Sequence, residues 1–238
     1  MRVKSGINGL DELAEGGFPD RTVILLSGPA GSAKSLFGMQ YVHNGAMEHG
    51  DVGIYVTLEE SRDSVLRAAK AYGMDFRALE KGGKIHLLDF GEIRTEMDLD
   101  EELDLGVVSF ANLRNLLSKL LKKTGARRLV IDSISAIGLY YGNQEELRRE
   151  MFAFCRFLKA ENVTSLLITE AVENLRTRFD VEQFVADSII SLGYENVDGE
   201  YRRTVTIYKM RFTKHEPYKH PFLITKSGIE IDHEEIIY

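Results

Sequence analysis

The densest chemistry in the chain lies in Ser27-Gly28-Pro29-Ala30-Gly31-Ser32-Ala33-Lys34-Ser35. An apolar run, Val23-Ile24-Leu25-Leu26, leads into it and a helical pattern leads out. Strand, glycine-rich turn and helix start is the layout of a phosphate-binding loop, whose backbone N–H groups and helix N-terminus cradle an anion. In that layout Lys34 meets the outer phosphates, and the Ser35 hydroxyl offers an oxygen to magnesium. Residues Gly28 to Leu36 would surround the phosphates. The motif asks for glycine just before the lysine, but Ala33 stands there. Its Cβ restricts φ and blocks the closest backbone approach, so the expected site is weakened rather than lost.

Three further carboxylate positions follow apolar runs. Val52 to Leu58 ends on Glu59-Glu60, Arg128 to Ile131 ends on Asp132, and Val163 to Thr169 ends on Glu170. Asp132 has the placing of a magnesium-holding carboxylate opposite the loop hydroxyl. Glu59 or Glu60 could serve as general base for an attacking water, the alternative being surface charges ahead of a helix cap at Ser61. Ser133 and Ser135 read as strand-end hydroxyls.

The elements that must position these groups alternate. After the loop a helix runs from about Lys34 to His49 and stops at Gly50; a strand follows at Val52 to Leu58. Ser61 caps a helix carrying Val65, Leu66, Ala69 and Tyr72 on one face, and Ile85 to Leu88 is the next strand. Asp89 to Asp104 is rich in acid and poor in apolar residues, as in a solvated loop. Leu113, Leu116, Leu117, Leu120 and Leu121 repeat at helical spacing; Arg128 to Asp132 is a strand; Asn143 and Glu146 open a helix through Leu158. Strand and helix in alternation predict an α/β fold with a mainly parallel central sheet covered on both faces, ligands binding at the carboxyl ends of its strands. Ser188 to Tyr194, Thr204 to Tyr208, Phe222 to Thr225 and Ile229 to Ile231, joined by tight turns, predict antiparallel strands extending one edge. The opening residues predict loop, one brief helix and loop. We read one domain over 1–238: a lead-in at 1–20, a nucleotide-binding core at 21–190 and an antiparallel extension at 191–238.

At 238 residues and 44% hydrophobic content the chain can bury a substantial core, and its net charge of −7 argues against a nucleic-acid partner. Its one cysteine, Cys155, falls among Met151, Phe154 and Leu158 and reads as a core residue in a reducing compartment. No signal segment and no membrane-length apolar run are evident, so a cytoplasmic protein is expected. His215 and His220 lie in a Pro-interrupted stretch and read as loop residues rather than a metal pair.

Taken together, Gly6-Ile7-Asn8-Gly9-Leu10-Asp11, Gly16-Gly17-Phe18-Pro19, the phosphate loop, Thr57-Leu58-Glu59-Glu60 and Val130-Ile131-Asp132-Ser133 occur in an order that resembles the KaiC family of RecA/RadA-like P-loop ATPases. Lys209-Met210-Arg211-Phe212-Thr213-Lys214-His215 fits that family's K-x-R-x-T-x-H segment. The resemblance, which covers nearly the whole chain, implies ATP and magnesium as ligands, slow hydrolysis and a hexameric or similar ring. It also implies that Lys209, Met210, Arg211, Thr213 and His215 approach the nucleotide of a neighbouring subunit. From the residues alone, Lys209 and Arg211 simply project from one face of a strand. An interaction protein gated by ATP, with incidental turnover and an unnamed protein partner, is the alternative. A recombinase-like paralogue is the third reading, with Ala136 to Asn143 (Tyr140-Tyr141) and Glu170 to Phe179 (Arg176, Arg178) lining a ring and holding single-stranded DNA.

Overall fold

The computed structural model describes residues 1–92, 109–138, 141–172, 176–177, 185–197 and 199–237. A central sheet has the strand order β12-β11-β10-β9-β3-β7-β6-β4-β5. Its parallel part is β3 (Val23–Gly28), β4 (Gly53–Thr57), β5 (Ile85–Asp89), β6 (Arg128–Asp132) and β7 (Thr164–Val172), joined by β9 (Ser188–Val197) alongside β3. β10 (Glu200–Met210), β11 (Lys219–Thr225) and β12 (Gly228–Ile231) continue the sheet antiparallel. The short β8 (Arg176–Thr177) folds back on β7.

Every residue of β3 and β4 is buried, as continuous apolar runs in a sheet covered on both faces require. On one face lie α2 (Lys34–His49), α3 (Arg62–Ala71) and α4 (Phe76–Lys81), whose Phe37, Tyr41 and Phe76 pack on Tyr55 and Val130. The same apolar layer takes in Leu10 and Phe18 from the chain start and Phe222 and Ile231 from its end. The opposite face carries α5 (Phe110–Thr124) and α7 (Gln144–Ala160), with Leu113, Leu117, Phe154 and Leu158 fully buried on Val23 and Ile131. Ser61 caps α3 by accepting from Ser64 N at 3.3 Å, and Asn143 caps α7 by accepting from Glu146 N at 2.8 Å, as their positions predict.

Two local features depart from the sequence expectation. The lead-in holds its brief helix, α1 (Leu10–Leu13), yet Arg2–Val3 (β1) also pairs with Phe18–Pro19 (β2), a contact that no alternation announces. Part of the ring-lining stretch Ala136 to Asn143, expected as a loop, forms a helical turn, α6 (Ser135–Gly138), because Ile134 and Ile137 are buried in the core. The acidic stretch expected as solvated loop lies outside the described residues beyond 92.

Arg128, at the first position of β6, is fully buried. Its Nε donates to Asp51 Oδ2 at 2.9 Å, its Nη1 donates to the Tyr41 carbonyl at 3.0 Å, and the guanidinium stacks 4.8 Å from the Tyr41 ring centre. Room for it comes from Gly45 in α2, where a Cβ would sit 2.2 Å from Arg128 Nε.

Candidate functional site

Strand register does the first work of assembly. Gly28 pairs with Glu170 across β3 and β7, and Thr57 pairs with Asp132 across β4 and β6. The ends of β3, β4 and β6 thus reach one edge of the sheet level with Glu170 of β7, and there Lys34, Ser35, Glu59, Glu60, Asp132, Ser133 and Glu170 line a cavity of about 130 Å³.

The loop between β3 and α2 has the shape that its glycines allow. Gly28 meets the Leu192 carbonyl and Ser32 Oγ so closely that a Cβ would lie 2.7 Å and 2.5 Å from them. Gly31 and Ala33 both take left-handed backbone, at φ 80° and 70°. Ala33 is therefore the one loop residue with a Cβ in a conformation that suits glycine, and its methyl packs against the apolar layer under α2. Ser32 Oγ donates to the Pro29 carbonyl at 2.8 Å, while Lys34 Nζ donates to the carbonyls of Gly28 and Pro29 at 2.8 and 2.9 Å. Burial lowers the Lys34 pKa, and Asp132, Glu170 and Glu59 oppose that shift. Leu36 is buried, so its backbone is what it can present to a ligand.

The carboxylates differ in their bonding. Asp132 Oδ2 accepts a 2.6 Å hydrogen bond from the buried Tyr55 hydroxyl. Burial pushes the Asp132 carboxyl above its usual range, with Tyr55 and the nearby Ser35 hydroxyl pulling the other way. Ser133 Oγ donates to Glu59 Oε1 at 2.6 Å. Glu60 Oε2 accepts from Ser64 Oγ at 2.7 Å, and the Glu60 backbone is bonded to Thr57 Oγ1. Glu170 takes its place through its N–H, which donates to Ser135 Oγ at 3.0 Å. Ser35 and Asp132 form an all-oxygen donor pair of the kind magnesium takes alongside phosphate oxygens. Among the described residues no group of three or more His, Cys, Asp or Glu side chains could hold a metal ion by itself.

Lys209 and Arg211 lie elsewhere. β10 runs antiparallel to β9 and ends beside the start of β9, with Met210 opposite Ser188 and a register shift between Ile207 and Lys209. Lys209 Nζ donates to the Ala186 carbonyl at 2.7 Å, and Arg211 Nη1 lies 3.3 Å from Asp187 Oδ1. Asp187 is buried, accepts from Val23 N at 3.1 Å through Oδ2 and pairs with Lys159 Nζ at 2.8 Å. These cations thus occupy the amino edge, one strand length, about 17 Å, from the phosphate loop of the same chain. Arg211 has left the strand, and its common side with Lys209 comes from their joint approach to Ala186-Asp187. Met210 is buried in the core. Arg2 bonds the Thr213 hydroxyl and the Phe212 carbonyl, and His215 Nδ1 lies 3.4 Å from the Glu216 carbonyl.

Residues beyond the predicted set also touch the site. Ser133 and Glu170 line the cavity; the sequence pattern singles both out as following apolar runs, although β7 continues past Glu170 to Val172. Tyr55 and Arg203 could not be found that way. Arg203 Nε donates to the Gly31 carbonyl at 3.1 Å, and its guanidinium stacks 4.6 Å from the Tyr194 ring, joining the phosphate loop to the antiparallel extension. Of the stretches considered for DNA, Tyr141 stacks on Phe110 at 5.9 Å and accepts from Phe110 N. Tyr140, Arg178 and the side chain of Arg176 lie outside the described residues.

A strand, phosphate loop and helix, with carboxylates at the ends of adjacent parallel strands and an antiparallel extension, define a RecA-like P-loop fold. The profile of the family described as "ATPase: KaiC" matches residues 3–236, and the chain belongs to that family. It is 35% identical over 235 residues to a UPF0273 protein of Thermotoga maritima, covering 97% of this chain and 95% of that one. It is 34% identical over 232 residues to the circadian clock oscillator protein KaiC of Parathermosynechococcus lividus, covering 97% of this chain but only 42% of that protein. The chain thus spans less than half of that clock protein. The crystal structure of the KaiC-like protein PH0186 from Pyrococcus horikoshii OT3 superposes with a TM-score of 0.84 at 37% identity, covering 97% of this chain and 98% of that one.

Proposed function

We propose that this chain is one ATPase domain that binds ATP with magnesium at the carboxyl edge of its sheet and hydrolyses it slowly, as a head-to-tail ring such as a hexamer. The observation that carries the reading is the shared cavity of Lys34, Ser35, Glu59 and Asp132. The loop main chain cradles the phosphates, Lys34 neutralises their charge, and Ser35 and Asp132 hold the metal. Magnesium, when bound, offsets the charge that develops on the phosphate oxygens. Glu59 orients and deprotonates the attacking water, with one of its oxygens fixed by Ser133. Glu60, bonded to Ser64, faces the start of α3 and supports Glu59 from beside it.

Lys209 and Arg211 serve the nucleotide of the next subunit, with Met210, Thr213 and His215 shaping that contact. Their position on the edge opposite the phosphate loop supports a role in trans, since they cannot reach their own. A contact between unlike surfaces closes into a ring when the rotation allows. The lone buried cysteine, whose thiol burial pushes up to about 12, suits a reducing compartment such as the cytoplasm. Among the described residues no helix is long and apolar enough to cross a membrane.

The strained Ala33 favours a second reading, in which ATP gates assembly and binding of a protein partner and turnover is incidental. The packing of Tyr141 on Phe110 and the net charge of −7 weigh against a RadA-like DNA-binding role. ATP turnover and oligomer mass for the wild type, Glu59→Gln and Lys209→Ala separate these readings. Wild-type turnover that both substitutions remove supports the ATPase. Assembly with ATP but no turnover sensitive to Glu59→Gln leaves the gated interaction protein, and turnover raised by single-stranded DNA in a salt-sensitive way supports the third.

A further inference from the structure

Behind the cavity, and not lining it, stands Tyr55 in the middle of β4. It is fully buried, with its ring edge-on to Phe76 at 6.3 Å. Tyr41, equally buried, gives its hydroxyl to a backbone carbonyl, that of Thr164 at 3.2 Å. Tyr55 instead donates to a site carboxylate, Asp132 Oδ2, at 2.6 Å, the short distance typical of a bond to a charged acceptor. The Ser35 side chain stands close enough to both to oppose the rise that burial gives their pKa values. One phenol thus holds one of the two residues to which the proposed function gives the metal, with the other beside it.

We infer that Tyr55 is a positioning residue for the divalent ion, which orients Ser35 and Asp132 from the second layer and sets how strongly the site takes magnesium. The inference rests on the nucleotide reading above. Its physical basis is the direction of the hydrogen bonds. The phenol proton is committed to Asp132 Oδ2, so the phenol oxygen remains as an acceptor for the Ser35 proton. With that proton turned back toward Tyr55, the Ser35 oxygen keeps a lone pair for the cavity, as does Asp132 Oδ1. Without the phenol, Ser35 donates straight to Asp132, which consumes a carboxylate lone pair that the metal would use. Partners behind metal ligands typically matter by about 10–100-fold in metal affinity.

Tyr55→Phe keeps the ring and removes only the hydroxyl. The full-length chain and the variant are titrated with ADP by calorimetry, in chelator and in excess magnesium, and manganese bound with ADP is followed by electron paramagnetic resonance. The expected result is unchanged ADP affinity in chelator, a metal-dependent gain reduced roughly tenfold or more, and a broadened or lost bound-manganese signal. In an Asp132→Asn background the same substitution is expected to change nothing further, whereas a packing defect would persist there. A Tyr55→Phe variant that keeps the full metal-dependent gain overturns the assignment while leaving the nucleotide site standing. A wild type with ADP binding but no metal-dependent gain overturns both the assignment and the magnesium part of the reading beneath it.

Discussion

The two edges of the central sheet are built to opposite charge plans. At the carboxyl edge one cation, Lys34, shares a cavity with the four carboxylates of Glu59, Glu60, Asp132 and Glu170. At the amino edge, beside the end of β10, the buried Asp187 carboxylate is approached by Lys159 and Arg211, and Lys209 binds the adjoining Ala186 carbonyl. Polyphosphate cannot sit stably among four carboxylates without more positive charge, and three cations around one carboxylate are a surplus. The edges are thus electrostatically complementary but lie about a strand length apart in one chain. Such a layout gains most when the amino edge of one copy meets the carboxyl edge of another.

Breaking the amino edge should cost most. Replacing both Lys209 and Arg211 by Ala is expected to lower turnover by about 1,000-fold, the scale of a cationic finger, while the unassembled chain binds ADP as before. Paired ADP titrations and turnover assays decide it, and an equal loss of ADP affinity would show that the edges are not separate. The support beneath that edge is tested by Asp51→Ala, which strands the buried Arg128 guanidinium. Unfolding free energy should fall by about 3–5 kcal/mol in denaturant melts, with nucleotide affinity of the folded fraction preserved.

On the carboxyl edge, Glu59→Gln should reduce turnover by at least about 100-fold and leave ATP affinity and oligomer mass intact. Retained turnover would move the base elsewhere, with Glu60 the first place to look. The smallest effect belongs to Ala33→Gly, which relieves a left-handed alanine. It should tighten ATP binding by roughly fivefold in the single chain, about 1 kcal/mol, and by less in the proposed ring, where cations from a neighbour would already share the phosphate. Equal gains in both states, read by calorimetry below and above the assembly concentration, would mean that the edges do not cooperate.

What the sequence makes legible follows from locality. The phosphate loop is contiguous, and Glu59, Asp132 and Glu170 each end an apolar run, so their convergence follows from parallel strands alone. The caps at Ser61 and Asn143 are equally local. Tyr55 is invisible in this way because it looks like any buried strand residue; its meaning comes from Asp132, 77 positions away. Arg203 needs β10 to lie near Gly31, and the position of Lys209 depends on a register shift near Tyr208 that no alternation rule supplies. Ala33 was visible as a departure from the motif, but its φ of 70° is a property of the folded loop.

The guanidinium of Arg128 occupies the space where a side chain at position 45 would stand. The two positions are therefore open to change only in a certain order. A chain that first shortens residue 128, and with it relinquishes the charge of Asp51, can then enlarge residue 45. A chain that begins with Gly45→Ala meets the guanidinium at once and must pass through a poorly folded intermediate. Divergence at this spot is expected to come as linked replacements at 45, 51 and 128, and a library randomising all three together should recover folded combinations that no single-site scan reaches.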